Sequence, residues 1–190
     1  MGVCVERETR ETRVKACVSP GEASSRVEAP LRFLSHMLEQ AGFHGLLGVR
    51  VEAAGDLGHH VAEDVAIALG RALAEAASRV PNRRRYGWAA VPMDDALVLV
   101  SVDLGGRPYA SISLGFTREM IEDTASEDIV HFLEALAFNA GMALHAVKLA
   151  GRNDHHVAEA CFKALGLALR MALEPDPARS GVPSTKGVLR

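Results

Sequence analysis

The chain has 190 residues, of which 48% are hydrophobic, 24% charged and only 5% aromatic, and its formal net charge is −3. This composition is typical of a globular protein long enough to bury a core. The charge argues against a nucleic-acid-binding protein or a basic membrane-surface protein, and no apolar run approaches the ~20 residues that span a bilayer.

The N-terminus and the cysteines indicate the compartment. Residues 1–15 are charged and polar and lack the apolar segment of a secretion signal. Cys4, Cys17 and Cys161 are odd in number and show no C-x-x-C spacing. We therefore expect reduced thiols in a cytoplasmic protein.

In chain order, each half of the sequence predicts strands, a helix, a strand and a second helix. Apolar and charged residues alternate where strands are predicted, and apolar residues recur at helical spacing elsewhere. Gly105-Gly106 predicts a hairpin turn. The predicted strands are 3–18, 25–28, 46–53, a strand through Val91, 96–104, 107–115 and 142–150, and the predicted helices are 31–41, 59–78, 126–140 and 155–173.

An internal repeat connects the two halves. His59–Glu63, with the sequence HHVAE, recurs at His155–Glu159, 96 positions later, and Ala68–Gly70 recurs as Ala164–Gly166 at the same offset. The repeat predicts an α+β fold of internally duplicated half-domains, each a mainly antiparallel sheet with two helices on one face. The expected units are residues 1–82, residues 83–176 and a C-terminal tail at 177–190.

The paired histidines are the strongest chemical signal. On a helix, His59 and His60 share a face with Glu63, but the two rings point about 100° apart. One pair therefore suits two neighbouring metal sites better than a single ion. Imidazole and carboxylate without sulfur suit Mn²⁺, Fe²⁺ or Zn²⁺. His/Glu helix faces that bind no metal are the alternative.

Other residues extend this candidate site. His36, His44 and His145 precede the two pairs, whereas His131 has no motif around it and we treat it as a surface residue. Asp56, Asn153 and Asp154 are candidates to orient metal-bound imidazoles. Guanidinium and ammonium groups suit a phosphate, although each is also compatible with a solvated surface charge. These groups are Arg84 or Arg85, Arg107 and Lys163, with Ser184 and Lys186 in the tail.

Taken together, the motifs resemble the imidazoleglycerol-phosphate dehydratase family over nearly the whole chain. The matching stretches are 7–12 (RETRET), 33–40 (FLSHMLEQ), 59–64 (HHVAED), 85–87 (RYG), 91–94 (VPMD), 103–108 (DLGGRP), 139–141 (NAG), 151–156 (GRNDHH) and 183–187 (PSTKG).

The resemblance implies dehydration of imidazole glycerol phosphate to imidazole acetol phosphate in histidine biosynthesis. It also implies a cytoplasmic homo-oligomer of 24 subunits that binds a small phosphorylated imidazole, but no nucleic acid or membrane. Two Mn²⁺ per active site would be held by His36, His59, His60, Glu63, His145, His155, His156 and Glu159. The implied substrate contacts are Glu11, Gln40, His44, Arg85, Arg107, Lys163, Ser184 and Lys186, the last five at the phosphate.

The implied chemistry holds the substrate imidazole between two metal ions while hydroxide is expelled. Glu11 is the candidate acid/base and His44 a second candidate. The sequence departs from the family at Ser35, where an aspartate is usual, at Val61, where a threonine is usual, and in loop 55–58. That loop is shorter and lacks the acidic residues that normally precede His59. The groups that orient His36 and His59 are therefore left open.

Two other functions are compatible with paired ions. A two-metal phosphoester hydrolase also requires cationic phosphate clamps, but acidic bridging ligands are expected there rather than imidazoles. A metal-assembled shell protein would need the HHVAE repeats, but not Arg107, Lys163 or the basic tail.

Overall fold

The computed structural model describes residues 2–189. Its elements are β1 (Val3–Glu8), β2 (Thr12–Val18), β3 (Arg26–Glu28), α1 (Arg32–Gly45), β4 (Arg50–Gly55), α2 (Gly58–Ser78), β5 (Tyr86–Met93), β6 (Ala96–Asp103), β7 (Tyr109–Ser113), β8 (Met120–Ile121), β9 (Thr124–Ala125), α3 (Ser126–Ala140), β10 (Ala143–Ala150) and α4 (Asp154–Leu173).

The two halves share one topology. The first sheet has the order β1-β2-β4-β3 and the second β5-β6-β10-β7. In each sheet the first three strands are antiparallel and the last strand is parallel to its neighbour. The predicted α+β fold with duplicated half-domains is therefore confirmed. The hairpin β8–β9 precedes α3, and the sequence did not indicate it.

Helices from one half pack against helices from the other, and the core lies between the two sheets. Helix α2 packs on β1, β2 and α3, whereas α4 packs on β5, β6 and α1. The sheets contribute every second side chain of a strand to this core. In β6, for example, Val98, Val100 and Val102 are buried, whereas the residues between them are half-buried.

Glycines permit the two helix–helix contacts, and they are equivalent positions of the repeat. A Cβ at Gly166 of α4 would lie 2.2 Å from the Ala41 carbonyl oxygen of α1. A Cβ at Gly70 of α2 would lie 2.7 Å from Asn139 Cβ of α3. Both helix pairs therefore cross at a distance that excludes larger side chains.

The predicted hairpin at Gly105-Gly106 is wrong. β7 pairs in parallel with β10, and β10 lies between β6 and β7. Strands that are close in sequence are therefore separated in the sheet by one that arrives later, as β4 does in the first half.

The expectation of three reduced thiols is also wrong. Cys4 of β1 and Cys17 of β2 are directly opposite in the antiparallel pair, with Cα atoms 4.0 Å apart, and they form a disulfide. Cys161 is free and buried. None of the helices in residues 2–189 is long and apolar enough to cross a membrane.

Candidate metal and substrate site

The N-termini of all four helices meet around the β8–β9 hairpin. The Asp123 carboxylate of its turn accepts hydrogen bonds from the backbone N–H groups of Arg32 and Phe33 at the start of α1. Gly58 at the start of α2 lies beside Leu31. Burial opposes ionisation of Asp123, but these N–H donors hold its pKa below the usual value. This convergence brings both HHVAE copies to the same end of the molecule.

Each of the four paired histidines has its Nδ1 atom beside a carboxylate. Since an ionised carboxylate can only accept a hydrogen bond, Nδ1 is the donor, and Nε2 is the nitrogen that can carry the lone pair for a metal. This arrangement is typical of metal-ligating histidines, whose second nitrogen is held by a carboxylate. The pairs are His59–Asp128 at 2.6 Å, His60–Asp56 at 2.8 Å, His155–Glu122 at 3.1 Å and His156–Asp95 at 2.7 Å.

In the second half, ligand atoms converge on Glu159. Its Oε2 lies 3.4 Å from Nε2 of His155 and 3.9 Å from Nε2 of His36. Two donors that each lie about 2.1 Å from one ion are about 3 to 4 Å apart, so these spacings fit a shared metal. Oε1 accepts a hydrogen bond from Lys163 at 2.7 Å. Burial alone would raise the pKa of Glu159, but the Lys163 ammonium holds it below the usual value.

At the first HHVAE copy, ligand atoms of His59, Glu63 and His131 all lie within 4.8 Å of one another. His131 of α3 stacks on His59 with ring centroids 5.1 Å apart, and its Nε2 is 3.6 Å from Glu63. That Nε2 atom is buried and has no hydrogen-bond partner. The expectation that His131 is a plain surface residue is therefore wrong. A single sequence holds no signal that links it to His59.

Glu11, the candidate acid/base, lies in the turn between β1 and β2. Its Oε2 is 3.7 Å from Nδ1 of His60, which also donates to Asp56. The hydrogen bond from His60 lowers the pKa of Asp56, and the same contact, helped by the charge of Glu11, raises the pKa of His60. Of the three residues predicted to orient imidazoles, Asp56 is the one that hydrogen-bonds a paired histidine.

The other two orienting residues bind backbone instead. The Asn153 side chain accepts from the backbone N–H of His155 and so caps α4. Asp154 accepts hydrogen bonds from Thr117 and Arg118, which lead into the β8–β9 hairpin. In their place, Asp95 orients His156 and also accepts from the backbone of Arg152 and Asn153. Those backbone N–H groups are the main reason why the pKa of Asp95 is depressed.

Two of the residues that depart from the family pattern do not contact the histidines. The hydroxyl of Ser35 donates to the Leu31 carbonyl oxygen within α1. Val61 is buried in the core. Support for the imidazoles therefore comes from elsewhere in the fold.

His145 is separated from the histidines at the helix starts. It is exposed in β10 between the buried residues Leu144 and Ala146, so it projects from the outer face of the second sheet, away from the helices. Exposed apolar side chains share this outer face. They include Tyr86, Trp88, Tyr109, Val147 and Leu149.

Most of the predicted phosphate contacts line a cleft of about 450 Å³, which includes Arg107 and, from the tail, Ser184, Thr185 and Lys186. Lys163 does not line this cleft, because it lies beside Glu159 on α4. The cleft also contains Arg85, which is buried, donates twice to Asp103 at 2.6 and 3.0 Å, and donates to the Pro183 carbonyl oxygen at 2.9 Å. Arg85 therefore anchors the tail in addition to facing the cleft.

This cationic cleft lies at the far end of the helices from the paired histidines. The backbone N–H of Arg85 donates to the Ala172 carbonyl oxygen near the end of α4. The 17 residues from His155 to Ala172 correspond to about 25 Å of helix. Gln40 and His44 follow His36 along one side of α1, and His44 is exposed about 12 Å away. The paired histidines and the cationic cleft of one chain therefore do not form a single site.

Comparison with known proteins gives one consistent family. The sequence profile of the imidazoleglycerol-phosphate dehydratase family matches residues 29–169. The enzyme of that name from Methanothermobacter thermautotrophicus is 50% identical over 187 residues, which cover 96% of this chain and 95% of the relative.

Solved structures agree with the sequence comparison. The crystal structure of IGPD from Pyrococcus furiosus in complex with (S)-C348 superposes with a TM-score of 0.85 at 39% identity, and the match covers 97% of this chain and 100% of the other. The imidazoleglycerol-phosphate dehydratase from Staphylococcus aureus gives a TM-score of 0.85 at 34% identity, with coverage of 93% and 100%.

Proposed function

The chain belongs to the imidazoleglycerol-phosphate dehydratase family, and we therefore propose that it is a hydro-lyase of histidine biosynthesis. It would convert imidazole glycerol phosphate to imidazole acetol phosphate with two Mn²⁺ per active site. The observation that carries the proposal is the set of four imidazoles at the helix starts, each with Nδ1 on a carboxylate and Nε2 left as a ligand.

The donor set fits a borderline divalent ion, because it consists of imidazoles and carboxylates without thiolates. When bound, Mn²⁺ would supply Lewis-acid stabilisation of negative charge on the substrate's imidazole ring. The proposed ligands are His36, His59, His60, Glu63, His145, His155, His156 and Glu159.

We propose that each active site is shared between subunits of a 24-subunit homo-oligomer. His145 projects from the outer sheet face, and the cationic cleft lies about 25 Å of helix away from the paired histidines. A phosphorylated imidazole is too short to span these groups within one chain. A neighbour that brings its cleft or its His145 to the histidines of this chain would complete the site.

The chain's own residues then have separate roles in the reaction. Arg85, Arg107, Ser184 and Lys186 of the cleft hold the phosphate together with Lys163 of the chain that supplies the histidines, and Gln40 contacts the substrate. Guanidinium and ammonium groups suit this dianion because they combine charge with directed hydrogen bonds.

Proton transfer is assigned to Glu11. The reaction removes a proton from one carbon and hydroxide from its neighbour, and the resulting enol tautomerises to the ketone. Glu11 lies 3.7 Å from His60, so its carboxylate is beside an imidazole that would hold a metal ion. His44 is the weaker candidate because it lies about 12 Å along α1 from His36.

The test is turnover of the Mn²⁺-loaded, assembled protein with imidazole glycerol phosphate. We expect the ketone product and no inorganic phosphate. Release of phosphate without ketone would indicate a phosphoester hydrolase instead, and metal-dependent assembly without any turnover would indicate a shell protein.

Variants test the assignment of Glu11. Glu11→Gln should retain assembly and Mn²⁺ content but lose turnover by at least about 100-fold, the usual contribution of a general acid or base. Glu8→Gln is the matched control, because Glu8 is an exposed carboxylate on the same hairpin. Normal turnover of Glu11→Gln would refute the assignment.

A further inference from the structure

We propose that Asp128 is a positioning residue that orients His59 for metal binding and takes the place of the acidic residues that loop 55–58 lacks. The inference rests on the proposed function, because it takes His59 to be a metal ligand.

The contact joins an exposed ring to a buried carboxylate. Nδ1 of His59 donates to Oδ1 of Asp128 at 2.6 Å. The His59 side chain is 52% exposed, whereas that of Asp128 is 11% exposed. An exposed histidine otherwise samples several rotamers, so a fixed buried acceptor is what holds its Nε2 in one direction.

The loop before His59 has no carboxylate to spare. Asp56 is its acidic residue, and the same Oδ1 atom accepts both the backbone N–H of Leu57 at 2.7 Å and Nδ1 of His60 at 2.8 Å. The loop therefore orients the second histidine of the pair and leaves the first one to another element.

Asp128 differs from the other three histidine partners in its place in the fold. Asp56, Asp95 and Glu122 lie in loops or turns, whereas Asp128 is in the first turn of α3. The α2–α3 crossing at Gly70 leaves no room for a side chain, so the position of α3 relative to His59 is fixed. A rigid helix thus replaces a loop as the support.

The rest of the His59 ring is also held by α3. The imidazole of His131 stacks on it with an interplanar angle of 20°. His131 and Asp128 are three residues apart on α3 and therefore share a face. One contact fixes the Nδ1 edge and the other fixes the ring plane, which leaves Nε2 to bind the ion.

The experiment compares Asp128→Asn with Glu127→Gln in the full-length, assembled protein. Glu127 is an exposed carboxylate in the same helical turn, so its variant loses the same charge without touching a histidine. Mn²⁺ affinity is measured from the electron paramagnetic resonance signal of free Mn²⁺ during titration. Loss of a partner that orients a ligand typically weakens metal affinity by about 10- to 100-fold.

We expect that weakening in Asp128→Asn, with Glu127→Gln unchanged and the metal-free melting temperatures of all three proteins within a few degrees. Wild-type affinity in Asp128→Asn would overturn the inference. So would a large loss of metal-free stability with unchanged affinity, since that would indicate a purely structural carboxylate.

His59→Ala separates this inference from the proposed function. If the wild-type protein binds no Mn²⁺, or if His59→Ala binds it normally, the metal assignment itself fails. If His59→Ala loses affinity while Asp128→Asn keeps it, only the role of Asp128 is refuted.

Discussion

Replacing Gly166 with alanine tests whether the close α1–α4 crossing positions the candidate metal ligands. The added Cβ would lie 2.2 Å from the Ala41 carbonyl oxygen and 2.9 Å from its carbonyl carbon. A carbon–oxygen contact needs about 3.3 Å, so the helices must separate by about 1 Å. The obstacle is backbone, which cannot rotate away as a side chain could.

The expected cost combines two opposing effects. Overpacking a core costs about 1–3 kcal/mol, whereas replacing a helical glycine by alanine returns about 1 kcal/mol. We expect a net loss of about 1–2 kcal/mol, because the clash involves two backbones. For a chain of this length that corresponds to a fall of about 2–8 °C in melting temperature.

The same shift should affect the site. Helix α1 carries His36, whose Nε2 lies 3.9 Å from Glu159 on α4. A displacement of about 1 Å can cost about 100-fold in rate when catalytic groups are misplaced. Turnover and Mn²⁺ affinity should therefore both fall in Gly166→Ala.

Calorimetry of the metal-free protein and a Mn²⁺ titration are the two assays. Gly181→Ala is the control, since nothing lies within 4 Å of a Cβ added there. Gly70→Ala should cost less than Gly166→Ala, because its closest contact is longer, 2.7 Å to Asn139 Cβ against 2.2 Å to the Ala41 carbonyl oxygen. Wild-type stability and affinity in Gly166→Ala would refute the reasoning.

Three further predictions concern thiols and assembly. Burial raises the pKa of Cys161 from 9.0 to about 12. Above pH 9 only the unfolded thiol ionises, so the free energy of unfolding should fall by up to about 1.4 kcal/mol per pH unit. Urea titrations at pH 8–11 should show this slope in the wild-type protein but not in Cys161→Ala. Without reductant, guanidinium-unfolded protein should show one titratable thiol, and reduction of Cys4–Cys17 should cost about 3 kcal/mol; three thiols would contradict the disulfide. Trp88→Glu on the outer face of the second sheet should prevent assembly in sedimentation velocity, whereas Lys15→Glu on the first sheet should not; an intact Trp88→Glu oligomer would exclude that face as an interface.

Local sequence patterns predicted the elements well, because each depends on neighbouring residues. The alanine-rich stretch predicted α2 at 59–78, and the helix spans Gly58–Ser78. Alternation predicted the strand at 96–104, and β6 spans Ala96–Asp103. Strand order was not predictable in this way. The partner of β7 is β10, whose residue Ala143 pairs with Tyr109, 34 positions earlier in the chain.

Candidate ligands that share one helix could be identified from the sequence, whereas most of the residues that contact them could not. The HHVAE repeat shows spacing within one helix, so His59, His60 and Glu63 could be identified together. Asp56, a predicted orienting residue, lies four residues before His60 and contacts it within the same segment. Asp128 lies 69 residues from His59, and only the packing of α2 on α3 brings the two together. No periodicity in a single sequence encodes that contact.

The distance between the paired histidines and the cationic cleft also has a genetic consequence. If neighbouring chains complete each other's sites, a chain with defective metal ligands can still supply an intact cleft to a neighbour whose own cleft is defective. Glu159→Gln and Arg107→Ala should each abolish turnover alone, yet assemblies reconstituted from a mixture of the two should regain activity. Such complementation between alleles would follow from the length of the helices, because they separate the paired histidines of each chain from its cationic cleft.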